Sequence, residues 1–455
     1  MKMEKKARGN FSGKLGYVLA VSGSAVGLGN IWRFPYLAAK YGGGIFLLIY
    51  ILLAITFGFT LILSETALGR MTGKGPIGAF KTFAKGKLAM GGWLNAIIPM
   101  LIAPYYCVIG GWVIKYLIGF ASGNVEQMAT DTFFTSFVAQ PGEPVIWLTL
   151  FVLATFLVVI FGVEKGIERI SKILMPVLVV LAIIICVYSV TRPGALEGVK
   201  YYLIPDFSKF SLMTVVAAMG QMFYSLSIAM GILITYGSYM KKEVDMESSI
   251  KQVEIVDTLV AILAGLMIIP AVFAFSGGDQ SALNAGPSLM FITIPKVFES
   301  MGMGQAVGAV FFLLVLVAAL TSSISLMETC VSTIQERTGW SRRKGCLIMV
   351  IEMLVLGIPC SLGFGVWDFI QPLGLSILDF FDFLTNSVMM PIAGFFICIL
   401  VLKAVGLDKI SEEVRISSPF KREKAYRAFI RFLVPVGLMI ILVSSVLNTF
   451  GIITI

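Results

Sequence analysis

Residues 23–35 read Gly23-Ser24-Ala25-Val26-Gly27-Leu28-Gly29-Asn30-Ile31-Trp32-Arg33-Phe34-Pro35, inside an apolar run that spans 14–38. Glycine is a poor helix former, and three of the first seven positions here are glycine. Close packing of small residues would explain the glycines alone. It does not explain Asn30 and Arg33, which are costly in hydrocarbon. Unpaired backbone at membrane depth survives only where it lines a protected cavity. A second interrupted run, Gly220-Gln221-Met222-Phe223-Tyr224-Ser225-Leu226-Ser227-Ile228-Ala229-Met230-Gly231, lies within 211–239. For that run taken alone, small-residue packing remains an alternative.

The rest of the chain places both interruptions in a membrane. Of its 455 residues, 58% are hydrophobic and only 13% are charged, where soluble domains average about 25% charged. The mean hydropathy of +0.92 predicts a polytopic membrane protein. The sequence has no histidine, which excludes Ser-His-Asp and Cys-His nucleophiles, His-ligated zinc and the usual proton carrier near pH 7. Cys107, Cys186, Cys330, Cys346, Cys360 and Cys398 show no CxxC spacing and read as buried, unpaired thiols. Gly73-Lys74-Gly75-Pro76-Ile77-Gly78 formally matches GxGxxG, but it follows an apolar helix instead of a strand. No Walker A pattern occurs, so neither an organic cofactor nor ATP is expected and the chain is not read as an enzyme.

A span needs about 20 mostly apolar residues. Eleven are predicted, at 14–38, 43–69, 90–121, 145–162, 167–190, 211–239, 249–276, 305–334, 346–363, 377–402 and 430–452. The basic start reads as the flank of an uncleaved helix. The two interruptions fall in the first and sixth spans, equivalent places in two five-helix halves. Paired breaks of this kind point to an inverted repeat with a site near the midplane. The expected fold is therefore all-α, with eleven transmembrane helices, a 5+5 inverted repeat and discontinuous helices 1 and 6. The segments are an N-terminal stretch (1–13), a first repeat (14–190), an extracellular connection (191–210), a second repeat (211–402), and a cytoplasmic basic loop with the eleventh helix (403–455).

With the N-terminus inside, Arg33, Lys40, Lys115, Arg192, Lys200, Lys209 and Lys296 are the cations assigned to the outside, leaving 28 of the 35 on inner segments. That asymmetry follows the positive-inside rule and puts the C-terminus outside. The pI of 9.1 then reports orientation and no nucleic-acid partner. The basic stretch Arg415 to Arg431 reads as a topological anchor in preference to an anionic-lipid site. No external loop carries a glycosylation sequon, which suits a bacterial inner membrane; the oligomeric state is not set by these features. Embedded acids (Glu65, Glu254, Asp257, Glu328, Asp379, Asp382) and the hydroxyl cluster Thr321-Ser322-Ser323 mark function. Hydroxyls and freed carbonyls suit a hard cation such as sodium, although hydroxyls can also bond back to their own helix.

The first-span motif, with Gly42-Gly43-Gly44, Tyr105-Tyr106, Gly166-Ile167-Glu168-Arg169, Gly220-Gln221-Met222-Phe223, Leu320-Thr321-Ser322-Ser323 and Phe381-Asp382-Phe383, resembles the neurotransmitter:sodium symporters over residues 8–450. The resemblance implies the leucine-transporter fold and sodium-coupled amino-acid symport by alternating access. It implies one sodium held by Ala25, Asn30, Ser225 and Asp257 together with the substrate carboxylate. A second would be held by Gly23, Val26, Ala318, Thr321 and Ser322. The substrate carboxylate would meet the Leu28 and Gly29 amides and Tyr106, and its ammonium would face Ala25, Tyr224 and Ser225 near Ser227. Side-chain contacts would come from Ile102, Tyr106, Ser227, Met230, Ser322 and Leu326. Arg33 and Asp382 would gate the outside, with Arg8, Glu336 and Tyr239 gating the inside. Gly166 and Pro176 match a spacing associated with inner unwinding of span five.

Three departures from the family pattern carry expectations. Asp257 stands where asparagine is common, and Ala261 where chloride-dependent members have serine; the carboxylate would replace chloride. Ser24 and Ala229 replace a frequent asparagine and glycine, with less backbone freedom expected at Ala229. Tyr224 adds a hydroxyl near the lid. A pocket without fixed charge favours hydrophobic or aromatic L-amino acids. An ion channel or an amino-acid-sensing receptor on the same scaffold is the alternative.

Overall fold

A computed structural model of the protein describes residues 9–277 and 288–453. Those residues are almost wholly helical. The first apolar run forms α1 (Lys14–Ala25) and α2 (Gly29–Lys40), bent by 56° at the break between them. It is followed by α3 (Gly44–Thr72), α4 (Gly86–Ala121), the 17-residue α5 (Glu143–Val159) and α6 (Val163–Val190). After a short helix, α7 (Ala195–Leu203), the second interrupted run forms α8 (Leu212–Ser225) and α9 (Ile232–Gly237). The chain continues through α10 (Met246–Ser276), α11 (Gly304–Thr338), α12 (Arg342–Leu362) and α13 (Ile377–Val405), then α14 (Leu407–Arg415) and α15 (Glu423–Thr449).

Every predicted span falls on helix. Among the described residues, however, eight helices are long and apolar enough to cross a membrane unaided, and the bent α1–α2 pair makes a ninth. The fourth and sixth predicted spans fall short because α5 is brief and the α8–α9 run is broken. All-round apolar helices pack about a core that includes Trp112, Tyr50 and Phe57, each fully buried. All six cysteines are free and buried, as small hydrophobes are.

The segments around α14 are held by ion pairs. The Arg70 side chain, fully buried, pairs through Nε with Glu413 of α14 at 2.7 Å, and Lys242 reaches the same carboxylate at 2.7 Å. Glu247 accepts from the Lys421 and Arg422 amides at 2.7 and 3.1 Å. Arg415, Arg422 and Arg427 pair with Glu423, Glu254 and Asp408 respectively. This part of the basic stretch is therefore engaged with the protein's own carboxylates.

Candidate functional site

The break after α1 exists because Val26 turns extended, at φ −74° and ψ 100°. It leaves the last carbonyls of α1 and the first amides of α2 side by side. Carbonyl ends favour cations and amide ends favour anions, so this one interruption presents both halves of a zwitterion's complement. The glycines permit the close approach. A Cβ at Gly27 would stand 2.7 Å from Ser322 Oγ, and one at Gly29 would stand 2.7 Å from the Tyr224 ring.

The second break faces the first. Ser227 and Ala229 both adopt left-handed backbone, at φ 53° and 60°. Alanine here takes the conformation that glycine adopts without penalty, with strain of about 1–2 kcal/mol. Glu65, fully buried, holds it there by accepting the Ala229 N–H at 2.7 Å. Ala229→Val is expected to destabilise the protein by about 2 kcal/mol, because a β-branched side chain there clashes with its own backbone. Ala229→Gly should be tolerated. Thermal stability of the two purified variants checks this, and equal stability would refute the strain.

A cavity between the breaks is lined by all eleven residues expected around a substrate: Ala25, Leu28, Gly29, Ile102, Tyr106, Tyr224, Ser225, Ser227, Met230, Ser322 and Leu326. Ser24, Gly27, Asn30 and Ile232 complete the lining. The Leu28 N–H donates to Tyr106 Oη at 3.3 Å. Ser227 donates to the Ser24 carbonyl at 3.0 Å, and the Gln221 amide donates to the Gly29 carbonyl at 2.9 Å. Gly27, Ile232 and the tie from Gln221 were missed by sequence reasoning. Gln221 stood inside a quoted motif, and its amide in an apolar run was the available signal.

Two oxygen clusters flank the cavity. In the first, Asp257 is fully buried and accepts from Asn30 at 2.8 Å, Ser225 at 2.9 Å and Tyr50 at 3.1 Å. Tyr50 was not anticipated. No Lys or Arg among the described residues pairs with Asp257, although a buried carboxylate is costly without a cation. In the second, Ser322 Oγ lies 3.3, 3.1 and 3.3 Å from the Gly23, Ser24 and Val26 carbonyls. Thr321 donates to Val317 at 3.1 Å and Ala318 at 3.0 Å. Thr321 thus realises the back-bonding alternative within its own helix, whereas Ser322 bonds across to α1. The acceptors that meet in both clusters are carboxylate, hydroxyl and carbonyl oxygens, a donor set that suits hard cations.

The expected gates are placed differently from their pairing in the sequence reading. Arg33 and Asp382 form no direct ion pair. The Arg33 guanidinium sits over the Tyr224 ring at 5.5 Å, while Asp382 accepts from Tyr105 at 3.2 Å and Asn386 at 2.5 Å. Of the residues expected to gate the inside, Arg8 lies outside the described residues. Glu336 accepts the Gly75 N–H at 2.6 Å, and Tyr239 donates to Glu328 at 2.7 Å, which also pairs with Arg342. Phe11, unforeseen, fills the space between Tyr17, Tyr236 and Tyr239 with ring centroids 6.0, 5.5 and 6.0 Å away. The segment around Gly166 is wound as a π turn, Val163–Glu168, continuous with α6. A Cβ at Gly166 would collide with the Val158 carbonyl, so close packing is one reason for that glycine.

Broken helices facing one another across a central cavity, on an all-helical apolar scaffold, define a secondary-transporter class. Comparison with known proteins agrees. The family model of the sodium:neurotransmitter symporter family matches residues 8–136 and 120–451, and the chain belongs to that family. It is 34% identical over 442 residues to the uncharacterized sodium-dependent transporter YhdH of Bacillus subtilis, covering 96% of this chain and 97% of the relative. A sodium-dependent transporter of Haemophilus influenzae is 33% identical, covering 98% of this chain and all of that one. The solved structure of MhsT in complex with L-phenylalanine superposes with a TM-score of 0.86 at 37% identity, covering 96% of this chain. The protein is a multi-pass membrane transporter dependent on sodium, with the leucine-transporter fold, and not an enzyme.

Proposed function

We propose that this protein carries hydrophobic or aromatic L-amino acids into the cell with two sodium ions, by alternating access and without chloride. The observation that carries this reading is Asp257, a buried carboxylate ringed by Asn30, Ser225 and Tyr50 with no cationic side chain to neutralise it. A sodium ion bound with Ala25, Asn30 and Ser225 supplies that charge. The second ion takes the Gly23, Val26 and Ala318 carbonyls with Thr321 and Ser322. The substrate carboxylate meets the Leu28 and Gly29 amides and Tyr106, and its ammonium faces the Ala25, Tyr224 and Ser225 carbonyls.

Ile102, Tyr106, Tyr224, Met230, Ile232 and Leu326 give the side-chain pocket its apolar character. Ser24 pairs with Ser227 at 3.2 Å, so this corner offers hydroxyls and no carboxylate for an amine lacking its own carboxylate. The phenylalanine bound by MhsT fits the same preference. In this reading the chain crosses an inner membrane eleven times, with the N-terminus cytoplasmic and the C-terminus outside. Arg33 and Asp382 draw together as the outer path closes, and Arg8, Glu336 and Tyr239 guard the inner one.

The test is uptake into proteoliposomes of each of the twenty amino acids, with and without an inward sodium gradient. Concentrative, sodium-dependent uptake of leucine-like or aromatic substrates is expected. A conductance without accumulation would indicate a channel, and binding without flux a receptor. Replacing chloride by gluconate should leave uptake unchanged; a fall to background would overturn chloride independence.

A further inference from the structure

The connection between the two repeats is packed along neighbouring helices. Its helix α7 lies antiparallel along α10 in even steps. Gly194 packs on Ala274, a Cβ at Gly198 would fall 2.8 Å from Cα of Pro270, and Tyr202 closes over Gly265. The Tyr202 hydroxyl then donates to the Ile262 carbonyl at 3.3 Å. After α7 the chain turns on the start of α3, where Gly43 bridges to Pro205 and Gly44 abuts Ile204.

These contacts set the depth. At 1.5 Å per residue, Gly265 lies about 12 Å along α10 from Asp257 and Ala274 about 25 Å. Half the hydrocarbon layer is about 15 Å thick. If the proposed function holds, the central cavity sits at the bilayer midplane, as expected of inverted-repeat carriers; α7 then starts beyond the hydrocarbon and its C-terminal end dips below the hydrocarbon boundary.

The outward side chains match that depth. Leu196, Ile204 and Phe207 are 60%, 62% and 71% exposed, and Leu203 and Phe210 are exposed too. The exposed apolar side chains of α10 stop after Leu259 and resume at Phe275, across the stretch that α7 covers. The outer face of α7 thus continues an exposed apolar surface, also formed by Ile184 and Val187 of α6. Lys200, paired with the exposed Glu197 at 3.0 Å, and Lys209, 4.5 Å from the Tyr201 ring centroid, stand among these residues with long stems able to reach the headgroups.

We infer that residues 195–210 form a re-entrant membrane anchor whose partner is the outer-leaflet lipid. Because α8 begins two residues later and ends at the cavity, this anchor ties the outer half of the second broken helix to the bilayer.

The test uses full-length protein in liposomes with a nitroxide at Ile204→Cys or Phe207→Cys; the native thiols are all buried. Two positions guard against one variant failing to fold, and Val187→Cys serves as the lipid-facing reference. Collisions with oxygen should exceed those with a water-soluble nickel chelate at both positions, as at Val187. Dominant chelate collisions would show an aqueous loop and overturn the anchor. Weak collisions with both reagents would show a protein cover, such as a second copy, and overturn it equally. Lipid-like collisions in a protein that fails to transport amino acids would leave the anchor standing and unseat only the functional reading.

Discussion

Replacing Thr321 and Ser322 together with alanine is expected to weaken sodium binding by at least about 100-fold, some 2.7 kcal/mol. Ser322 Oγ stands within 3.3 Å of the Gly23, Ser24 and Val26 carbonyls, the negative end of α1. Without the two hydroxyls, a cation there loses two of its five proposed ligands and keeps only carbonyls. The substrate pocket would also lose Ser322, so substrate affinity alone does not discriminate. The decisive measurement is the sodium dependence of binding at saturating substrate. Unchanged sodium affinity would remove the second site.

Asp257→Asn is expected to abolish uptake in gluconate medium, a fall of about 100-fold or more. The substitution keeps the shape and part of the hydrogen bonding to Asn30, Ser225 and Tyr50 while removing the buried negative charge. Stabilisation of a cation by a desolvated carboxylate is lost with it. If the charge is what makes chloride dispensable, chloride should restore part of the uptake in the variant. Uptake by the variant equal to the parent in gluconate would show that the negative charge of Asp257 is not what replaces chloride.

These expectations rest on groups of unequal legibility. Both helix breaks were legible because glycine and polar residues in an apolar run have few explanations inside a bilayer. The eleven cavity residues were legible through the resemblance to the sodium symporters, which the breaks and short motifs such as Tyr105-Tyr106 and Leu320-Thr321-Ser322-Ser323 carry. Tyr50, Glu65 and Phe11 were not assigned places at the site. Each acts on a partner far along the chain: Tyr50 on Asp257, Glu65 on the Ala229 amide, Phe11 on Tyr239. Nothing local to a tyrosine or phenylalanine in an apolar run distinguishes a site residue from a packed one. The outer gate shows the same limit, since Arg33 rests over Tyr224 while Asp382 turns to Tyr105 and Asn386.

The amino-acid sequence by itself determined that this is a membrane protein with two equivalent helix interruptions, resembling sodium symporters, and with hard oxygen donors in place of titrating histidines. Composition and interruption are properties of contiguous residues, and the bilayer penalises them one segment at a time. Only the tertiary structure decided which donor meets which acceptor. It seated Asp257 among three hydroxyl and amide groups, held Ala229 in a left-handed turn under Glu65, and laid the connection between the repeats along α10. Those outcomes depend on the docking of helices distant in sequence, where close approach is set by side-chain shape at sites such as Gly27, Gly29 and Gly198.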